Sequence, residues 1–445
     1  MRCSAATMGP AMPDALPATL QLYRTLSRGL PLLAPILIAR RVKRGKEDPA
    51  RTGERRGIGS AARPPGQLIW VHGASVGEVL AIATLVERLR AMNFRVLLTS
   101  GTVTSSQIVA KRFPPDVIHQ FIPYDSPRFI ARFLDHWKPD LAIFVESDLW
   151  PNFIMAGAAR RMPMMLVNGR LSERSFQRWR KVPHTIGTLL GCFDLCLAQS
   201  RGDGQRYEAL GAPRVQVSGN LKLDVPAPPA DTDRLQRLAG RLRGRPVVVA
   251  ASTHPGEDES FIEMHRRLRP HFPGLLTVII PRHPNRGESI AALVKATDLT
   301  LAVRSREEPP TARTDIYLAD TLGELGLFYR LAPVVFMGGS LVTHGGQNPI
   351  EALKLGAAVL HGVNVWNFGE LYAALDRAGG AITVANADAL TAAVGHWLSD
   401  PAARQKSAEA GREVVQTLGG ALECTMAALE PYLLQLRLEG GTPHA

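Results

Sequence analysis

Trp70-Val71-His72-Gly73-Ala74-Ser75-Val76-Gly77-Glu78 is the stretch from which the rest of the chain can be read. Before it, Leu68–Val71 is an apolar run that follows a Pro-Pro-Gly break. After it, Val79–Leu89 carries apolar residues at helical spacing. A buried strand, a loop of small residues and a helix therefore follow one another. Small residues let another molecule reach backbone N–H groups, and a helix N-terminus favours negative charge. Glu78, at the helical end, reads in two ways. With Ser75 three residues earlier it closes a capping box. As a carboxylate at the mouth of a cleft it is placed to take a proton.

Working outward, the strand candidates of the first half are Leu68–Val71, Arg95–Leu98, Val117–Ile122, Leu141–Val145, Met164–Val167, Leu195–Ala198 and Val215–Val217. Helical stretches such as Ala81–Met92 and Pro127–Trp137 fall between them. This alternation predicts an α/β fold with a doubly wound parallel sheet. Ligands gather at the carboxyl ends of such strands, so residues just past them are the candidates. Glu78 is the first. Glu146 and Asp148 follow a strand in Val145-Glu146-Ser147-Asp148-Leu149-Trp150-Pro151-Asn152, and Lys222 follows another in Val217-Ser218-Gly219-Asn220-Leu221-Lys222. Asn168-Gly169-Arg170-Leu171-Ser172 is a further polar turn past a strand. Paired acids can bind a metal, but no His or third acid lies near Glu146 and Asp148 at ligand spacing, so no metal site is assigned.

Pro226-Ala227-Pro228-Pro229-Ala230-Asp231 is a linker, and a second alternating domain follows it. Asp231-Thr232-Asp233 has the D-x-D order of metal-dependent sugar transferases, but it follows prolines instead of a strand and reads as a helix cap. Val247–Ala250 and Leu275–Ile280 are strand candidates, the second ending in Pro281-Arg282-His283-Pro284. An Arg fixed between prolines suits phosphate, because its charge does not titrate and its fork is rigid. Asp320-Thr321-Leu322-Gly323-Glu324-Leu325 opens a helix, with Gly323 allowing a ligand to approach the backbone. The strongest local pattern runs from Val334 to Leu353: a strand, the glycine-rich segment Gly338–Gln347, then a helix with Asn348 as N-cap, Pro349 at its first position and Glu351 in its first turn. It predicts free N–H groups aimed at a phosphate. Glu351 reads either as the far member of an Asn-x-x-Glu capping box or as an acceptor for ribose hydroxyls. Helices around the strands Ala358–Leu360 and Ala381–Val384 fill the chain to about residue 433.

A chain of 445 residues has room for two domains with separate cores, and 45% hydrophobic against 21% charged residues excludes a disordered protein. Four cysteines, Cys3, Cys192, Cys196 and Cys424, are too scattered for a disulfide framework, and Cys192 and Cys196 read as core residues. The net charge of +12 is local: residues 1–66 hold 12 Lys and Arg against 4 Asp and Glu. That is not the basic face of a nucleic-acid-binding fold. Beside it lies the apolar run Leu30–Ala39, followed by Arg40-Arg41-Val42-Lys43-Arg44-Gly45-Lys46. The run is short of the roughly 20 residues a bilayer requires, and Arg stands where a signal-peptide cleavage site needs small residues. Docking on an anionic membrane face is expected, the alternative being a terminal helix packed on the body. The first twenty residues are expected to be disordered. Gly57-Ile58-Gly59-Ser60-Ala61-Ala62 has the spacing of a dinucleotide loop, but it precedes the first strand and is set aside.

Taken in order, these motifs resemble those of the Kdo transferases of lipopolysaccharide assembly, which move 3-deoxy-D-manno-octulosonic acid (Kdo) from CMP-Kdo to a lipid A precursor. The resemblance runs from about Leu22 to about residue 430. It is carried by the basic segment ending Arg44-Gly45-Lys46-Glu47-Asp48, His72–Glu78, Glu146–Asn152, Asn168–Ser172, Gly219–Asp224, Ser252-Thr253-His254, Pro281–Pro284, Gly323-Glu324-Leu325 and Gly338–Glu351. It implies a glycosyltransferase-B fold, two Rossmann-like doubly wound domains facing a central cleft. The chain is expected to divide into a tail and membrane-docking segment (1–45), an acceptor-binding domain (46–225), a linker (226–234), a nucleotide-sugar domain (235–433) and a tail (434–445). By the same resemblance Glu78 is the general base, and Glu146 and Lys222 stabilise the transition state. Pro281, Arg282, Leu322, Gly323, Glu324, Asn348, Pro349, Ile350 and Glu351 hold CMP.

The implied reaction is inverting and metal-independent, with CMP-Kdo as donor and no other cofactor. Its acceptor is a lipid A precursor of the lipid IVA type at the cytoplasmic face of the inner membrane, with no nucleic-acid partner. Two residues depart from the family pattern: Gln347 stands where His is expected, and Gly169 where Ala is usual. The alternatives are a membrane-lipid glycosyltransferase using a UDP-sugar, and a non-catalytic nucleotide-binding protein in which Glu78 is only a cap.

Overall fold

Apolar runs separated by amphipathic helices leave each half of the chain one economical solution, a parallel sheet covered on both faces. The computed structural model describes residues 15–440 and divides into two units, Met1–Val225 with Leu418–Ala445, and Pro226–Thr417. Strands of the first unit are β1 Leu68–His72, β2 Arg95–Ser100, β3 Ile118–Phe121, β4 Leu141–Val145, β5 Met164–Gly169, β6 Leu195–Ala198 and β7 Val215–Val217. They pair in parallel in the order β3-β2-β1-β4-β5-β6-β7. The order reverses between β1 and β4, and a crevice opens at the carboxyl ends of strands at such a point. Each of the seven expected strands of this half is present. β1 alternates its side chains between two cores. Leu68 and Trp70 join Phe133, Phe144 and Phe153, whereas Ile69 and Val71 join Leu85, Ile143 and Val167. Cys192 and Cys196 are buried core residues, and Cys3 lies outside the described residues.

The N-terminal helices α1 (Ala18–Ser27) and α2 (Leu30–Lys43) are ordered parts of this unit. The expectation of twenty disordered residues therefore fails from Ala18 onward, because Leu20 is buried in the first core; residues 1–14 lie outside the description. On α2 only Ala34 and Ile38 are buried, against Phe129. Leu22, Leu26, Leu32, Leu33, Ile36 and Leu37 are exposed. No helix among the described residues is long and apolar enough to cross a membrane. Gly57 and Gly59 are packing glycines: a Cβ on Gly57 would stand 2.0 Å from the Phe129 carbonyl oxygen.

The helix expected after β1 is two, α3 (Val76–Ala81) and α4 (Ala83–Ala91), broken at Ile82. Buried residues continue across the break at Val79, Ala81, Ile82, Ala83 and Leu85, so apolar spacing could not reveal it. Further along lie α5 (Val103–Arg112), α6 (Pro127–Trp137) and α7 (Pro151–Ala159).

Strands of the second unit are β8 Val247–Thr253, β9 Leu276–Pro281, β10 Leu301–Val303, β11 Ile316–Leu318, β12 Val334–Met337, β13 Ala358–His361 and β14 Ala381–Thr383, in the order β10-β11-β9-β8-β12-β13-β14. The order reverses between β8 and β12. Asp231 caps the helix Thr232–Leu242, its carboxylate accepting the Arg234 N–H. One division of the chain requires correction. The helix Ala421–Gly440 belongs to the first unit, where Leu429, Leu433 and Leu436 share a core with Val86 and Leu89. Residues 418–433 are therefore not part of the second unit, and 434–440 are not a tail. Periodicity identifies an apolar face without saying which sheet it covers.

Candidate active site

Three strand ends and two turns meet at the crevice of the first unit. Past β1, Ser75 caps α3, accepting the Glu78 N–H at 3.3 Å and donating its hydroxyl to Glu78 Oε1 at 2.7 Å, while the Ala74 N–H donates to Oε2 at 2.8 Å. The capping box exists, and it aims the carboxylate. Past β4, Glu146 sits at φ 61°, a left-handed conformation that costs a non-glycine residue about 1–2 kcal/mol. Its N–H donates to Val167 O and its carbonyl accepts the Tyr207 hydroxyl. Lys222 Nζ donates to Glu146 Oε1 at 2.6 Å. The turn bearing Lys222 is itself held: the Leu221 N–H donates to Oδ1 of Asn168, a fully buried residue at φ 56° past β5.

Asp148 completes the cluster, its Oδ2 lying 3.1 Å from His72 Nε2. Burial pushes the Asp148 carboxyl up, yet its hydrogen bonds with His72 and Trp150 leave it below the usual range. Glu78 behaves in the opposite way. Burial raises its proton affinity most, and the charges of Glu146 and Asp148 raise it further; the bonds from Ser75 and Ala74 offset only part of this. A carboxylate pushed upward and held in a fixed direction is suited to accept a proton from a hydroxyl.

In the second unit the ends of β11, β9, β8 and β12 are consecutive along one edge. Leu322–Glu324, Pro281–Arg282, His254 and Gly338–Glu351 therefore line that edge. Arg282 is exposed, and its guanidinium has no ion-pair partner among the described residues. The His254 ring stacks on His344 with centroids 3.8 Å apart, and Gln347 Nε2 lies 3.1 Å from His254 Nε2. Burial, then the neighbouring His344, Arg282, His283 and Arg286, push His254 down to about 4. This edge is rich in cations and donors.

Glu257 overturns one expectation. Its fully buried carboxylate accepts the N–H groups of His254 (2.9 Å), Gly339 (2.7 Å), Ser340 (3.1 Å) and Leu341 (3.1 Å). The N–H groups of Gly339, Ser340 and Leu341 are thus taken by the protein's own anion, and that of Gly338 by the Ala251 carbonyl, so these four are not free for a phosphate. Glycine is required there for close approach, since a Cβ on Gly338 would stand 2.3 Å from Ser252 O. The following helix also begins one residue later than expected, Ile350–Lys354, with Pro349 in the capping position. Asn348 Oδ1 still accepts the Ile350 N–H at 3.1 Å. Glu324 is engaged by Arg304 at 2.5 and 2.6 Å, by Arg234 at 3.1 Å and by Thr321. The Arg304 hydrogen bonds hold its carboxyl down to about 2. Leu322 is exposed, and Gly323, at φ 82°, has open space where a Cβ would be.

The structure thus gathers Glu78, Glu146 and Lys222 in one crevice, and arranges the expected nucleotide residues along one edge of the other unit. Sequence reasoning missed His72 as the partner of Asp148, Asn168 as the support of Lys222, and Glu257. His72 had a visible signal, a polar residue closing an otherwise apolar strand.

Comparison with known proteins bears on this site directly. The profile of the 3-Deoxy-D-manno-octulosonic-acid transferase (kdotransferase) family matches residues 50–225, the span that carries Glu78, Glu146 and Lys222. The chain is 38% identical over 394 residues to the 3-deoxy-D-manno-octulosonic acid transferase of Haemophilus influenzae, covering 86% of this chain and 91% of that one. The protein belongs to the Kdo transferase family. The Bordetella pertussis 3-deoxy-D-manno-octulosonic acid transferase is 35% identical over 428 residues, covering 92% of this chain and 99% of that one. As a Kdo transferase the protein is a glycosyltransferase. Its fold is also that of the UDP-GlcNAc 2-epimerase from Neisseria meningitidis solved with UDP-GlcNAc (TM-score 0.57, 14% identity, 82% of this chain and 100% of that one). Two parallel-sheet α/β domains of the glycosyltransferase-B type are common to both.

Proposed function

We propose that this Kdo transferase uses CMP-Kdo as donor and a lipid A precursor of the lipid IVA type as acceptor, inverting the anomeric centre without a metal. The observation that carries the reading is the capping box that aims Glu78 into a crevice where burial, and after it two further carboxylates, make it basic. An unactivated hydroxyl is a poor nucleophile, and a positioned base contributes typically about 10²–10⁴-fold. Glu78 takes the hydroxyl proton as the oxygen bonds to the anomeric carbon. The bond to the CMP phosphate breaks on the opposite face, and its electron pair leaves with CMP.

Lys222 offers positive charge on the acceptor side, with Glu146 fixing its direction. Pro281, Arg282, Leu322, Gly323, Asn348, Pro349, Ile350 and Glu351 hold CMP. The unpaired Arg282 meets its phosphate, and Glu324, committed to Arg304, shapes the turn. The protein's own cations are sufficient to meet the leaving group's charge, which is the argument for metal independence.

The exposed Leu32, Leu33, Ile36 and Leu37 on α2, beside Arg40, Arg41, Lys43 and Arg44, support docking at the cytoplasmic face of the inner membrane. Mass spectrometry of the product made from CMP-Kdo and lipid IVA tests the donor and acceptor. Protection against thermal unfolding by UDP and not by CMP would sink the donor assignment. Glu78→Gln is expected to abolish transfer while CMP still protects; unchanged turnover would reduce Glu78 to a structural cap.

A further inference from the structure

We propose that His72 and Asp148 are positioning residues for Glu78: a hydrogen-bond chain anchored in the core keeps Asp148 an anion beside the base, and so keeps Glu78 basic. The inference rests on the reading of Glu78 as the base. The chain begins at Trp70, whose indole N–H can only donate and does so to Thr99 Oγ1 at 2.8 Å. His72 Nδ1 lies 2.9 Å from the same Thr99 hydroxyl and 3.3 Å from the Thr99 carbonyl oxygen, so the ring is pinned to β2 through this nitrogen. The other ring nitrogen, Nε2, lies 3.1 Å from Asp148 Oδ2, and an ionised carboxylate can only accept, so Nε2 donates to it. Trp70 and Thr99 are fully buried and His72 nearly so, which anchors the ring in the core. Asp148, by contrast, is only partly buried, in the loop past β4, next to β1 at the reversal of strand order.

Glu78 therefore has two anionic neighbours with different partners. Glu146 is paired with Lys222, and Asp148 with the His72 ring. The other elements packed on α3 contribute little. On α5 the charged residues are Lys111 and Arg112 in the last turn; on α4, Arg88 pairs with Glu423 and Arg90 with Asp116, and Glu87 is exposed. Lys222 is the only charged residue of the turn Leu221–Leu223.

The test is the pH profile of kcat/KM, whose acid limb reports the base of the free enzyme. Asp148→Asn keeps an acceptor for His72 but removes the charge. The acid limb should move to lower pH by about half a unit, with a plateau lowered a few-fold because the base is weaker. A purely structural role would leave that limb in place. His72→Leu should move it in the same direction, and His72→Gln, which offers an N–H near the same point, should restore it; equal unfolding midpoints exclude misfolding. An Asp148→Asn profile with an unshifted or raised acid limb overturns the pair. If Glu78→Gln retains turnover, the base assignment itself falls; if Glu78→Gln is inactive and Asp148→Asn unshifted, only this inference does.

Discussion

Glu257 Oε2 lies 2.7 Å from the Gly339 nitrogen, so a carboxylate from the turn after β8 fills the glycine turn after β12. The arrangement joins the two strand ends at which the order of the second sheet reverses. Four N–H groups depend on one buried side chain. Glu257→Ala should destabilise the second unit by about 3–5 kcal/mol, because it strands buried donors. Glu257→Gln should be nearly as damaging, since it turns an amide donor toward other donors. Denaturant unfolding measures both, and a Gln variant as stable as the parent would contradict the account.

Gly169 is a second such place. A Cβ there would stand 3.0 Å from Tyr207 Cε2 and 3.2 Å from Leu197 O. Neither can yield easily, one being backbone and the other a fully buried ring. Gly169→Ala, though it restores the residue usual in the family, should cost about 1 kcal/mol here. It should also lower the transfer rate by displacing Tyr207 from the Glu146 carbonyl. A variant combining Gly169→Ala with Tyr207→Phe should lose less than the sum of the two single changes.

Asp125 ties α1 to the start of α7, accepting the Tyr23 hydroxyl at 2.8 Å and the N–H groups of Asn152 and Phe153 at 3.2 Å. Burial holds its carboxyl up at about 6. An unfolded Asp titrates near 3.9, so the native state binds this proton more tightly. The stabilisation it brings is complete below about pH 4 and is lost as pH rises through about 6. Hydrogen exchange in α1 should accordingly be slower at pH 5 than at pH 7 after correction for intrinsic rates. Asp125→Asn should remove that dependence.

On α2, Leu32, Leu33 and Ile36 are exposed by 82%, 57% and 56%. Burying each in a lipid interface is worth on the order of 1.5 kcal/mol or more. Replacing all three with Ser should lower co-sedimentation with anionic vesicles by well over tenfold and leave the unfolding midpoint unchanged. Raised salt should weaken the parent protein's binding, through the basic residues that follow. Equal sedimentation of parent and variant would remove the membrane role of this face.

The sheet of the first unit was legible because its central strands are buried on both faces and separated by clear helices. β10 and β11 were not expected, since each is short and the chain joining them, residues 304–315, is rich in charge and proline. Glu78, Glu146 and Lys222 could be selected as charges placed just past strands. That Glu146 and Asn168 adopt left-handed backbones could not be read, because neither is glycine. Nor could the engagement of Glu324 by Arg304, twenty residues earlier, which depends on how β10 and β11 pair. Glu257 escaped for the same reason: three of its four partners lie more than eighty residues away, and only the fold brings them together.

The helix that returns to the first unit has a consequence for biosynthesis. Asp224 accepts the N–H groups of Gly420 and Leu422, at 2.8 and 2.5 Å, so the ribosome must release nearly the whole polypeptide before this seam can close. The domain begun first is finished last, its interior lacking Leu422, Leu429, Leu433 and Leu436 until then. A nascent chain stalled at Thr417 would carry a completed second unit and a first unit with a greasy, uncovered flank, a natural client for chaperones.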